Sequence, residues 1–165
     1  MPFEEIDKEK IYEIINDISS KLNCNFDLTI FNNKIFLKFS KYIMIFKNEN
    51  EILNKIDKEK LISCGIIFAI LTKRDGVLPF ISISDILINS CKNKLILPEK
   101  LAEKLTYGKK IILKEKLNNG YYIVLTKKGD FIGIVKVRRE KEIIPILDIG
   151  WYLRRGGSIY ILEEV

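Results

Sequence analysis

At 165 residues the chain can bury roughly 70% of its unfolded surface without staples, as one medium domain or two small ones. Hydrophobic residues at 47% and charged residues at 30% exclude a disordered or fibrous chain, and a net charge of +6 favours a polyanionic partner. With no histidine, and with Cys24, Cys64 and Cys91 in no ligand spacing, a His-containing metal site is excluded, so the three cysteines read as reduced thiols packed as small hydrophobes.

The opening residues, Met1-Pro2-Phe3-Glu4-Glu5, hold neither a basic nor an apolar stretch, so no secretory signal is expected and the protein is expected in the cytoplasm. Asp7 is placed to cap a helix through Ile11, Ile14, Ile15, Ile18 and Leu22, apolar positions three and four apart. Three strand-like runs follow, Phe26–Phe31, Lys34–Phe39 and Tyr42–Phe46. A tight turn at Asn32-Asn33 joins the first two, and together they predict an antiparallel meander. Glu49–Ile56 has the spacing of a short helix. Leu61–Thr72 leads through Asp75-Gly76 into Val77–Ile83 as a hairpin, and its apolar run from Leu61 to Leu71 falls short of the roughly 20 residues that span a bilayer. Ser84 is placed to cap a helix over Asp85–Cys91. The charged break Lys92-Asn93-Lys94 then sets the boundary between an α/β domain over 1–92 and a second domain over 93–165.

The second domain opens on a strand, Leu95–Leu97, and a helix that begins at Pro98, runs over Glu99–Leu105 and stops at Gly108. Strands at Ile111–Lys114, Tyr121–Leu125, Phe131–Val137, Ile143–Ile146 and Ile159–Leu162 follow. Turns at Asn118-Asn119-Gly120, Lys128-Gly129-Asp130 and Gly156-Gly157 separate them, a spacing that predicts a small barrel. The expected fold class is therefore α+β: an N-terminal antiparallel sheet with flanking helices, then a small β-barrel. Residues 98–165 hold 14 basic and 9 acidic groups against 14 and 13 in residues 1–97, so the surplus charge belongs to the barrel.

The stretch from Leu95 through Pro98 and Leu105-Thr-Tyr-Gly108, followed by Lys109–Lys114 and by Gly129-Asp-Phe-Ile-Gly-Ile-Val-Lys136, resembles a PUA domain, a recurrent RNA-binding module. The likeness covers roughly residues 94–162. Upstream, Lys60-Leu-Ile-Ser-Cys-Gly65, Leu71-Thr-Lys-Arg-Asp-Gly-Val-Leu78 and Ser82-Ile-Ser-Asp-Ile-Leu87, with Asp148-Ile-Gly150, Tyr152, Arg154 and Arg155 downstream, resemble the Nip-seven family of large-subunit ribosome biogenesis factors. Lys109-Lys110 and Trp151 are similar to the archaeal rather than the eukaryotic pattern. The resemblance implies a PUA-like barrel that binds single-stranded, U- or A-rich RNA in pre-ribosomal particles, with the N-terminal domain docking pre-ribosomal proteins.

Lys109, Lys110 and Lys114 follow the helix-closing Gly108, and Arg138, Arg139, Lys141, Arg154 and Arg155 come from separate turns or strand ends that a small barrel would gather into one positive face. Lysine supplies point charge for phosphate, and arginine a forked donor or a plane that stacks on an unpaired base. Each single lysine competes with the reading of a solvated surface charge. Arg154-Arg155 beside Gly156-Gly157 is the sharper pair, because glycine lets backbone approach RNA closely. Of the aromatics, Tyr107 is expected to pack in the core or its rim, and Trp151 stays open between an RNA contact and a lid on the barrel.

Catalysis has no visible apparatus. There is no histidine for acid–base work, no glycine-rich dinucleotide fingerprint and no phosphate loop. Asp75, Asp85, Asp130 and Asp148 fall at expected turns or caps, where a structural role is the default. The reading is a monomeric, non-catalytic RNA-binding factor without cofactor, metal or membrane span. The alternatives are an RNA-presenting subunit of a pseudouridylation or methylation complex, docking the modifying enzyme through the N-terminal domain, and a purely protein-binding module.

Overall fold

A computed structural model describes residues 3–47 and 65–150. They form two compact units, the first drawn from residues 3–18, 26–47 and 65–83, the second from residues 19–25 and 84–150. The helix expected over 49–56, the strand over 159–162, Cys64 and the start of the Leu61 run lie outside the described residues. Among the described residues no helix is long and apolar enough to cross a membrane.

The first unit is an antiparallel sheet of five strands in sequential order: β1 (Glu4–Glu5), β2 (Lys34–Phe39), β3 (Tyr42–Lys47), β4 (Ile66–Thr72) and β5 (Gly76–Pro79). Of the expected three-strand meander, β2 and β3 are present and pair antiparallel, and the sheet is extended by a short β1 that no alternation announced. Helix α1 (Lys8–Leu22) starts where Asp7 Oδ1 accepts from Lys10 N at 2.8 Å. It buries Ile11, Ile14, Ile15, Ile18 and Leu22, each at most 5% exposed, and burying one such side chain contributes roughly 1.5–3 kcal/mol.

The run Phe26–Phe31 is not a strand, and Asn32-Asn33 does not close a hairpin. Asp27 folds the chain into a 3-10 turn over Leu28–Phe31, its carboxylate accepting from Thr29 N at 3.0 Å and from the Thr29 hydroxyl at 2.6 Å. Such local side-chain bonds compete with a strand ladder. The turn also carries Phe31 onto Phe68, ring centroids 5.6 Å apart and edge to face, an aromatic pairing that a flat strand would forgo. Past β5 the strand expected to reach Ile83 stops at Pro79, which cannot donate to a ladder, and a second 3-10 turn covers Ile81–Ile83.

The second unit contains α2 (Ser84–Ser90), β6 (Lys94–Leu97), α3 (Glu99–Thr106), β7 (Ile111–Ile112), β8 (Gly120–Thr126), β9 (Phe131–Arg138) and β10 (Glu142–Asp148). Its strands form a curled sheet in the order β6-β8-β9-β10-β7, antiparallel except where β6 runs parallel to β8. The fold is the expected α+β combination. Register shifts at Pro145/Leu147 and Val124/Leu125 help the curl. Val124, Val135, Val137 and Ile143 line the inside, and α3 closes it with Ala102 and Leu105. Gly133 sits where the backbone of β10 comes close to β9: a Cβ there would meet Leu147 O and lie 2.7 Å from Asp148 Cα, so only glycine fits.

The reduced-thiol expectation fails for two of the three cysteines. Cys24 and Cys91 form a disulfide across an antiparallel bridge. The bridge is flanked by Asn25 N donating to Ser90 O at 2.9 Å and Lys92 N donating to Asn23 O at 2.9 Å. The partners are 67 residues apart and share no local spacing, so only the folded chain brings them together.

Candidate nucleic-acid interface

The hairpin joining β9 to β10 is the centre of the site. Arg139 (φ 51°) and Glu140 (φ 58°) both adopt left-handed backbone, as a two-residue turn matched to strand twist requires. Lys141 N donates to Arg138 O at 3.2 Å and closes it. Neither residue is Gly or Asn, so each costs on the order of 1–2 kcal/mol. The loop before β8 offsets that cost. Asn119 Oδ1 accepts from Glu140 N at 2.8 Å, Leu117 N donates to Glu140 O at 2.7 Å, and Lys116 Nζ lies 3.3 Å from Glu140 Oε2. A turn that Asn-Gly would relax thus presents two long charged side chains.

Strand β7 brings the other lysines to the same end of the sheet. It pairs with β10 so that Ile112 stands opposite Glu142, which stands opposite Arg138. Leu113 N donates to Lys141 O at 2.9 Å, which sets Lys114 beside the turn. Glu142 is shared: Lys110 Nζ lies 3.4 Å from its Oε1 and Arg138 Nη2 lies 3.7 Å from its Oε2. Exposed pairs of this kind contribute at most about 1 kcal/mol, so they orient the two cations without holding them against a competing phosphate. Segments 109–117 and 138–142 together hold seven lysines and arginines against Glu115, Glu140 and Glu142.

Residues directly opposite in an antiparallel sheet share a face. Ile111, Val137 and Ile143 point inward and are buried, so Ile112, Glu142 and Arg138 form a row on the outer face. The next row is Ile144, Lys136 and Tyr121. There Lys136 Nζ lies 5.1 Å and Lys21 Nζ 6.0 Å from the centroid of the Tyr121 ring, within range of a cation–π attraction. Lys110, Arg138, Lys136 and Lys21 accordingly share one outer face, with Tyr121 between two of them.

Of the residues expected to bind RNA, Lys109, Lys110, Lys114, Arg138, Arg139 and Lys141 lie on or beside β7 and the β9–β10 turn, all exposed. Trp151, Arg154 and Arg155 lie outside the described residues. Tyr107 does not pack in the core: it is 64% exposed, because α3 ends at Thr106 and gives its inward position to Leu105 before Gly108, at φ 72°, turns the chain. Sequence reasoning missed Lys136 and Lys21. The alternation Ile134-Val135-Lys136-Val137-Arg138 sets Lys136 on the same face as Arg138, a signal that was there to use. Nothing local marks Lys21, which reaches Tyr121 only through the folded chain. Asp75 lies in a turn, Asp85 in the first turn of α2, and Asp130 beside a turn where its N donates to Thr126 Oγ1 at 3.1 Å, whereas Asp148 ends β10 and is buried, its Oδ1 accepting from Gly150 N at 2.8 Å.

No protein-family model matches the chain, and no curated protein matches it. Solved structures do. A conserved PUA domain protein from Thermoplasma acidophilum superposes with a TM-score of 0.61 at 14% identity, covering 94% of this chain and 99% of that one. A protein from the hyperthermophile Pyrococcus horikoshii gives 0.56 at 14% identity, covering 94% and 99%. A PUA domain from Aeropyrum pernix K1, solved with tartrate, gives 0.59 at 8% identity, covering 92% and 88%. At these identities the similarity establishes a PUA-like fold.

Proposed function

We propose that this protein is a non-catalytic factor that binds single-stranded RNA through the β7 and β9–β10 end of its curled sheet. The observation that carries the reading is the gathering of Lys109, Lys110, Lys114, Arg138, Arg139 and Lys141 from two separate segments onto one end of the sheet. Polycation surfaces bind phosphate chains by releasing counterions, which makes affinity fall with salt. The outer-face Tyr121 with Lys136 and Lys21 extends the path, and the solved PUA domains of the same fold support a nucleic-acid partner.

The biological setting we propose is assembly of the large ribosomal subunit inside the cell, with the first unit docking pre-ribosomal proteins. It rests on the sequence blocks similar to the Nip-seven family. Co-purification with pre-ribosomal proteins is the expected result; a stoichiometric RNA-modifying enzyme in their place would transfer the protein to the role of substrate-presenting subunit.

The direct test is fluorescence anisotropy with a labelled single-stranded oligoribonucleotide over a salt series. Lys110→Ala/Arg138→Ala/Arg139→Ala should bind more weakly, and its log–log salt slope should flatten by about 0.7 for each phosphate that the variant no longer neutralises. An unchanged slope and affinity would remove RNA binding from this face.

A further inference from the structure

The first unit contains a groove of about 590 Å³ between β1, the chain that crosses from it to α1, and the sheet. Its floor follows the cross-strand pairs Glu4 with Lys38, Lys38 with Ile43, and Leu71 with Val77. Its wall is a stripe of α1 at helical spacing, Lys10, Glu13, Ile14 and Asp17. Ile6, Leu71 and Val77 are half-buried there and leave apolar surface open to a partner.

The rim is acidic although the chain carries a net +6. The groove's lining holds five carboxylates, Glu4, Glu5, Asp7, Glu13 and Asp17, and two cations, of which Lys10 lies 2.8 Å from Glu13. A second groove of the same volume on the far side of the Glu5–Asp7 connector has no such bias, since Lys8 and Lys34 balance Glu5 and Asp7. The acidity therefore distinguishes the first of these two grooves from the second. The carboxylates are also spread out: among the described residues no three Asp, Glu, Cys or His side chains could hold a metal ion. A row of separated negative charges beside the half-buried Ile6, Leu71 and Val77 repels nucleic acid and anionic lipid alike, and is complementary to a chain of alternating cationic and apolar side chains.

We propose that this groove docks an extended, lysine- or arginine-rich segment of a partner protein, with apolar side chains seated on Ile6, Leu71 and Val77 and cations along the carboxylate rim. The proposal deepens the protein-docking part of the proposed function and is independent of the RNA-binding part.

The test uses the full chain and two fluorescein-labelled peptides, one alternating arginine with valine and one alternating glutamate with valine. The arginine peptide should bind in a salt-sensitive manner and move the amide resonances of residues 4–17 and 71–77, while the glutamate peptide should not bind. Glu4→Lys/Glu13→Lys, at two exposed positions, should weaken the arginine peptide about tenfold, and Glu4→Gln/Glu13→Gln should fall between. RNA affinity of these variants should not drop, so loss of RNA binding by the β7 and β9–β10 variants and loss of peptide binding by the groove variants can be told apart. Equal binding of both peptides, equal affinity of wild type and lysine variant, or shifts scattered over the second unit would each overturn the proposal.

Discussion

Arg139 and Glu140 show what a single residue position can trade. Left-handed backbone at two successive non-glycine residues is strain that Asn-Gly would remove, and the surrounding loop holds it in place through Asn119 and Leu117. Strain kept at a surface turn is explained if the long side chains are needed there. Arg139→Asn/Glu140→Gly should raise stability by about 1–2 kcal/mol in denaturant unfolding while weakening RNA binding. A variant that is both more stable and an equal binder would detach the turn from function. Asp27 offers a second residue-scale prediction. The Thr29 hydroxyl first, and its backbone N–H second, hold the Asp27 carboxyl below its ordinary range. A depressed carboxyl stabilises the fold above its unfolded pKa, near 3.9, and loses that contribution as pH falls through the folded value. Thr29→Val should bring the Asp27 titration, followed by carbon NMR, up toward the ordinary carboxylate value; no movement would mean that the hydroxyl is not the main cause.

At the scale of elements, the sequence was most legible where one face of a strand or helix is buried. The three- and four-residue spacing in α1 locates the helix because burial selects those positions, and the bounded apolar run Ile35-Phe36-Leu37 locates β2, where Phe36 and Leu37 are both buried. Legibility failed where local polar chemistry outweighs alternation, as at Asp27 and Thr29, and where a strand is too short to alternate, as in β1. Gly133 was visible as a glycine in an apolar run, but the reason for it was not. Its missing Cβ admits the backbone of Leu147 and Asp148, so β9 and β10 would have to part to accept a methyl group. Gly133→Ala should cost roughly 1–3 kcal/mol, the range for overpacking a tight site, read as a lower thermal midpoint. A midpoint equal to wild type would show that the hairpin has slack there.

For the molecule as a whole, the positive end of the second sheet was half legible. Charge bias placed the surplus cations in residues 98–165, and separate turns were expected to converge, yet which cations meet depended on β7 pairing with β10 and not on distance along the chain. The disulfide is the same lesson in covalent form. Cys24 and Cys91 meet because residues 22–25 run antiparallel to residues 90–93, with Asn93 N donating to Leu22 O at 3.1 Å, a pairing no spacing rule contains. It also withdraws the reading of Cys24 and Cys91 as reduced thiols. A bridge that closes 67 residues of chain restricts the unfolded state far more than the folded one, and such bridges typically contribute about 2–4 kcal/mol. Unfolding in urea with and without dithiothreitol should therefore separate by that amount. Cys24→Ser/Cys91→Ser should match the reduced wild type and no longer respond to reductant. If wild type responds to reductant and the double variant does so equally, the sensitivity belongs to Cys64 and the bridge adds nothing to stability.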